Sequence, residues 1–152
     1  AEPQLFHPGD LDYIHSVERI GRLSNVISIN GGVQLDLMGQ ENAESAGTRQ
    51  LSGIGGQMDF LEGAFRSKGG KGFICINSSR VTKDGERKSN IVAAIPGGST
   101  VSAPRTMIDC VATEYGVVRL AGKSLRERAE AMASIAHPDF REELMKYARE
   151  HF

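Results

Sequence analysis

The sequence predicts an α/β fold, an open mixed sheet flanked by helices. Three features carry this: apolar runs of strand length bounded by turn residues, helical stripes alternating with those runs, and one glycine-marked hairpin. Residues 1–10 are rich in Pro, Gly and polar groups and read as an irregular entry. In "VISINGGVQLDL", Val26–Ile29 and Val33–Leu37 read as strands, the second alternating Val33, Leu35 and Leu37 against Gln34 and Asp36. Asn30-Gly31 between them predicts a type I′ hairpin, because both central residues of that turn need positive φ. "QENAESAGTRQLSGIGG" is a loop of small and polar residues. After it, Met58, Leu61 and Phe65 recur at helical spacing, with Phe60 and Ala64 widening the stripe, which predicts a helix over Gln57–Arg66.

The runs "GFICINSS", "IVAAI" and "MIDCVAT" read as strands, the first two covered on both faces. "VTKDGERKSN" separates the first two as a charged loop turning at Asp84-Gly85. The last third is helical. Ser124 and Glu127 have the spacing of a capping box, and Leu125, Ala129, Met132 and Ala136 share a face. His137-Pro138 ends that helix, and Phe140, Leu144, Tyr147 and Ala148 form the stripe of a second one. There is no internal repeat or linker, so residues 1–152 form a single domain.

Composition narrows the function classes. The chain is 39% hydrophobic and 24% charged with a formal net charge of −1, so no bulk field favours nucleic acid or an anionic membrane. Lys68 and Lys71 form the nearest thing to a basic cluster. Cys75 and Cys110 lie in apolar runs without C-x-x-C spacing and read as buried reduced thiols, with neither a metal site nor a disulfide framework. No signal-peptide pattern occurs, and no segment approaches the roughly 18 apolar residues that span a bilayer. The expected location is the cytoplasm. The chain opens on Ala1, not methionine, and reads as a piece of a longer protein.

The glycines before the first long helix raise the chemical question. A dinucleotide fingerprint starting at Gly53-Ile54-Gly55 would need glycine where Met58 stands, and the preceding segment is loop instead of strand. A phosphate loop ending in Gly122-Lys123-Ser124 would need glycine where Val117 stands; a helix cap explains those letters. No H-E-x-x-H or G-x-S-x-G motif occurs, and the four histidines are dispersed. Glu114 follows an apolar run and so stands at the end of a strand, where open α/β sheets keep their sites; a solvated surface acid is the other reading. Gly53–Gly56 also has two readings: bare amides presented to negative charge, such as a thioester oxygen becoming an oxyanion, or a structural turn.

Four blocks bear on that choice: "INGGVQLDLMGQENAES", "SGIGGQMDFLEGAFRSKGGK", "ATEYGVVRLAGKSLRERA" and "IAHPDFREEL". In this order, from about Asp12 to Leu144, they resemble the C-terminal half of the acetyl-CoA hydrolase/transferase family, which includes the 4-hydroxybutyrate CoA-transferases. The resemblance implies a two-domain class I CoA-transferase, each half an open α/β layer, with the active site in the crevice between them. In such enzymes a glutamate attacks an acyl-CoA to give an acyl-glutamyl anhydride and then a glutamyl-CoA thioester. CoA passes from there to a small carboxylate such as acetate. The nucleophilic glutamate lies upstream of the matched region, so this chain carries half a site.

Carried across, the resemblance gives Gly55 or Gly56 an oxyanion-binding N–H, with Gly53 and Gln57 beside it, and makes Glu114 an auxiliary group lining the crevice. His15 of "DYIHS", a candidate substrate or CoA contact, stands where many relatives have asparagine, and Lys68 and Lys71 of "SKGGK" would either meet CoA or stand in solvent. Coenzyme A and acyl-CoA enter as substrates, with no permanently bound cofactor and no metal. The implied partners are the N-terminal domain and further copies in a homo-oligomer. Two alternatives are an acetyl-CoA hydrolase domain, with water as acceptor, and a non-catalytic acyl-CoA-binding or assembly domain.

Overall fold

The computed structural model describes residues 8–152; residues 1–7, most of the polar entry, lie outside the described part. In chain order the elements are α1 (Leu11–Ile14), α2 (Val17–Arg22), β1 (Ile27–Gly31), β2 (Gln34–Asp36), β3 (Glu41–Asn42), β4 (Ser45–Ala46) and β5 (Arg49–Gln50). Then come α3 (Gln57–Arg66), β6 (Lys71–Cys75), β7 (Ser79–Val81), β8 (Arg87–Ser89) and β9 (Ile91–Val92). The chain closes with β10 (Cys110–Thr113), β11 (Gly116–Arg119), α4 (Leu125–Ser134) and α5 (Pro138–His151). The main sheet has the order β1-β6-β10-β11, its first three strands parallel and β11 antiparallel. A smaller sheet, β3-β2-β9, and two ribbons, β4-β5 and β7-β8, complete the mixed α/β architecture.

The expected hairpin at Asn30-Gly31 does not form. β1 pairs in parallel with β6 as far as Gly31 opposite Cys75, whereas β2 pairs with β3 and β9 in the other sheet. Neither Asn30 nor Gly31 has the positive φ of a type I′ turn. Long-range pairing outweighs the local turn signal here, because Leu35 and Ile91 reach full burial only in the second sheet. The charged loop after β6 turns at Gly85 (φ +79°) as expected, but its arms pair as β7 and β8.

One face of the main sheet carries the core. Ile74 and Val111 from the strands pack with Leu61 of α3, Met132 of α4 and Leu144 of α5 in one cluster that also takes in Leu35 and Leu37. The expectation that β6 is covered on both faces fails. Phe73 and Cys75 are half-buried, and on the same face Ile27, Ile29 and Val117 are 51%, 69% and 62% exposed. Burying such side chains is worth about 1.5–3 kcal/mol each, so this face is an uncovered apolar surface. Cys110 is buried and Cys75 is only half-buried; both are free thiols, and Cys75 pairs with Ala112, not Cys110.

α3 spans the residues its stripe predicts. Its direction is fixed at its C-terminus. The Ser67 hydroxyl donates to the Leu23 carbonyl at 2.6 Å and accepts from the Val26 N–H at 3.1 Å, tying the helix end to the entry of β1. The helix therefore runs against the parallel strands, and ten residues at 1.5 Å each bring its N-terminus to their carboxyl ends. α4 begins with the expected capping box at Ser124 and Glu127. His137 caps α5, with Pro138 in its first turn.

Candidate functional site

Three parallel strands ending side by side leave a hollow beyond their carboxyl ends, because their connections depart in different directions. Here that hollow is a crevice of about 390 Å³ lined by Gly32 beyond β1, by Cys75, Ile76 and Asn77 at the end of β6, and by Ala112 and Thr113 of β10. Glu114 follows directly, on the turn from β10 to β11. That turn is pinned by Thr113, whose hydroxyl donates to the Ile135 carbonyl at 2.7 Å and accepts from the Tyr115 N–H at 3.1 Å.

The Glu114 carboxylate is held from below. The Ser78 N–H donates to Oε2 at 2.8 Å and the Ser78 hydroxyl to Oε1 at 2.6 Å, while the residue remains exposed. Partial loss of water pushes its carboxyl up, but the two Ser78 bonds, with its own backbone N–H and nearby His137, together hold it below the usual carboxylate range. The result is an ionised, oriented acid at the rim of the crevice.

The glycine loop reaches the same end of the sheet. Gly55 takes φ +59°, a left-handed conformation that glycine adopts without cost, and Gly56 caps α3 with its carbonyl accepting from the Phe60 N–H at 3.1 Å. Among the described residues, the N–H groups of Gly53, Gly55 and Gly56 donate to no protein acceptor. They add to the positive end of a helix dipole, the arrangement that holds an anion. His15 lies against this loop. A methyl group on Gly56 would collide with its ring, its Nδ1 is 3.3 Å from an Asp59 carboxylate oxygen, and it meets Phe60 edge-on at 5.1 Å.

The other expected site residues part company. Gln57 turns inward, its Nε2 donating to the Glu41 carboxyl, so the side chain is occupied by the protein. Lys68 follows the C-terminus of α3 and Lys71 opens β6, which puts both exposed lysines at the opposite end of the sheet from the crevice.

Glu41 was missed from sequence: in a polar loop its letter carries no sign of burial. It is fully buried, and burial pushes its carboxyl up to about 8 despite the Gln57 bond. A wider hollow, about 800 Å³, is lined by α5 alone, from Pro138 to Glu150, and brings no second element to a ligand. No group of three or more His, Cys, Asp or Glu side chains is placed to hold a metal among the described residues.

Comparison with known proteins decides the family. Residues 3–148 match the model of the acetyl-CoA hydrolase/transferase C-terminal domain. The chain belongs to that family. This acetyl-CoA hydrolase/transferase domain is 44% identical over 138 residues to the butyryl-CoA:acetate CoA-transferase of Anaerostipes caccae, covering 91% of the chain and 31% of that protein. Identity to the 4-hydroxybutyrate coenzyme A transferase of Clostridium kluyveri is 46% over 142 residues, or 93% of the chain and 32% of the relative. The crystal structure of RipA from Yersinia pestis superposes with a TM-score of 0.80 at 40% identity, over 91% of this chain and 30% of that one. The domain thus spans about a third of the length of the curated relatives it matches. No helix among the described residues is long and apolar enough to cross a membrane.

Proposed function

We propose that this chain is a single domain, the C-terminal part of a cytoplasmic CoA-transferase that moves CoA from an acyl-CoA to a small carboxylate such as acetate. Two observations support the reading, both at the carboxyl ends of the parallel strands: unbonded glycine amides before α3, and a carboxylate fixed by Ser78 at the rim of the crevice. In this reading a glutamate from the upstream polypeptide attacks the thioester carbonyl. The carbonyl oxygen gains charge as the tetrahedral intermediate forms, and the Gly55 or Gly56 N–H donates to it. Expulsion of the CoA thiolate leaves an acyl-glutamyl anhydride; the thiolate then attacks the glutamyl carbonyl, releasing the acyl carboxylate and leaving a glutamyl-CoA thioester. The acceptor carboxylate reverses the sequence. Each step is an acyl exchange through an oxyanion, so one set of amides serves them all.

Glu114, ionised and held at the rim, orients substrate atoms by accepting hydrogen bonds or by repelling the acceptor carboxylate into line. The uncovered face with Ile27, Ile29 and Val117 supports the requirement for further polypeptide, and the relatives are about three times as long as this chain. Hydrolysis, with water as acceptor, is the second reading, favoured by the family description that names both activities.

The test is a coupled assay of the complete protein, this chain with the upstream polypeptide its relatives carry, on several acyl-CoAs with and without acetate. Acetate-dependent formation of acetyl-CoA is expected, and none from this chain alone. Release of free CoA at a rate indifferent to acetate would establish the hydrolase instead. Turnover by this chain alone would overturn the half-site reading.

A further inference from the structure

Glu41 is a buried acid beside the crevice whose chemistry the site above does not use. It is fully buried, and the groups facing it are Gln57 from α3, Gly32 beyond β1 and Ile76 beyond β6; no lysine, arginine or histidine pairs with it among the described residues. Its backbone is bridged to Ala103, the Glu41 N–H donating to the Ala103 carbonyl at 3.0 Å, so the residue has no freedom to swing out to water. Oε2 accepts from the Gln57 amide, whereas Oε1 has no hydrogen-bond partner among the described residues. That bare oxygen abuts Gly32, where a Cβ would stand 2.5 Å from it. Gly32 is also a wall of the crevice, and Gln57 is the first residue of α3, next to Gly56. A single carboxyl therefore joins the helix that bears the free amides to the strand end that forms the crevice.

We propose that Glu41 is a positioning residue, which through Gln57 fixes the first turn of α3 and so sets the Gly55 and Gly56 amides against the crevice. The proposal rests on the reading of those amides as the oxyanion site. Packing alone gives no reason for an acid here. Between Gly32 and Ile76 an apolar side chain would avoid the desolvation of a carboxyl and the bare oxygen. Burial keeps the carboxyl protonated at neutral pH, which removes the charge but retains an acceptor for Gln57. What the acid supplies that leucine would not is that one directed bond to α3. A helix start is otherwise free to fray, because its first amides have no intrahelical partners.

Three variants of the complete protein test this: Glu41→Gln, Glu41→Leu and Gln57→Leu. Glu41→Gln keeps an acceptor at the same place and is expected to retain kcat within about twofold. Glu41→Leu and Gln57→Leu are each expected to lower kcat about 10–100-fold with KM for acyl-CoA little changed, since the amides act on charge that appears only in the transition state. Combining the two leucines should add nothing further. Hydrogen exchange read on peptides covering Gly53–Glu62 should accelerate about tenfold in both leucine variants, as the Phe60-to-Gly56 bond opens.

Unchanged exchange in Glu41→Leu would overturn the proposal, as would equal loss of kcat in Glu41→Gln and Glu41→Leu. Faster exchange with unchanged kcat has a separate meaning: Glu41 does fix the loop, and the oxyanion role of its amides is what fails.

Discussion

Glu41 and Arg128 are buried ionisable side chains at opposite ends of the main sheet, and they are treated differently. Arg128 of α4, 7% exposed, lies near the amino ends of the parallel strands and donates to three carbonyls: Met38 at 2.7 Å, Leu120 at 3.0 Å and Arg105 at 2.8 Å. Gly39 makes room for it, since a side chain there would press on its guanidinium. Glu41, fully buried at the carboxyl ends, has one donor and one bare oxygen. The arginine binds three loops into one corner, with each of its three nitrogens bonded to a carbonyl. The carboxyl leaves part of its capacity unused beside the crevice. Open α/β sheets divide their ends in this way: one end is closed for stability, and the other keeps strained or unsatisfied groups where substrate arrives.

The largest effect expected from this contrast is at Arg128. Arg128→Ala removes three charge-assisted bonds and takes from the Met38 and Arg105 carbonyls the donor they have here, while Leu120 keeps the Lys123 N–H; this should cost roughly 3–5 kcal/mol in chemical denaturation. A cost below about 1 kcal/mol would mean that the clamp is idle and the contrast false.

Next comes the pH dependence at Glu41. The folded carboxyl keeps its proton to about 8, whereas unfolded it releases it near 4.5. Between those values the native state binds the extra proton, so stability falls as pH rises, by up to about 1.4 kcal/mol per pH unit. Denaturation of wild type and Glu41→Gln from pH 5 to 8 should give a difference that shrinks to nothing at the acid end and grows with pH. Parallel curves would place the carboxyl in water.

Gly56→Ala probes the loop at the same end. Its methyl meets the His15 ring, so a loss of about 1–3 kcal/mol is expected, together with reduced CoA transfer in the complete protein. Substituting His15 with alanine in the same molecule should restore much of the stability; no restoration would mean that the collision is not the cause.

The smallest stability effect is expected at Glu114. The side chain is exposed, and Glu114→Gln should change stability by no more than about 0.5 kcal/mol while lowering kcat in the complete protein. Unchanged kinetics would return it to the surface. Its carboxyl lies below the ordinary range, so whatever stability it lends is present at neutral pH and disappears on acidification.

Local signals in the sequence were reliable where the structure they specify is local. The stripe from Met58 to Phe65 marks α3, and Ser124 with Glu127 marks the start of α4, because both depend on residues within a turn or two. Asn30-Gly31 misled for the opposite reason. Its strand is claimed by β6, some forty residues on, and no dipeptide reports that. Half of the candidate site was visible in the same sense. Gly53–Gly56 and Glu114 stand at element boundaries, and His15 comes into contact with the loop that the family motif singled out. Lys68 and Lys71 shared a stretch of sequence with those glycines, but a ten-residue helix carries them to the other end. Glu41 was invisible, since its burial is created by three elements meeting around it: β1, α3 and β6.

The central claim is that acyl-CoA is handled at the carboxyl ends of β1, β6 and β10. Hydrogen exchange of the complete protein, with and without a non-hydrolysable acyl-CoA, tests it most directly. Protection should appear at Gly53–Phe60 and at Ile76–Ser78, and the helix from Pro138 to His151 should exchange as before. Protection confined to that helix, with the glycine loop unaffected, would contradict the account.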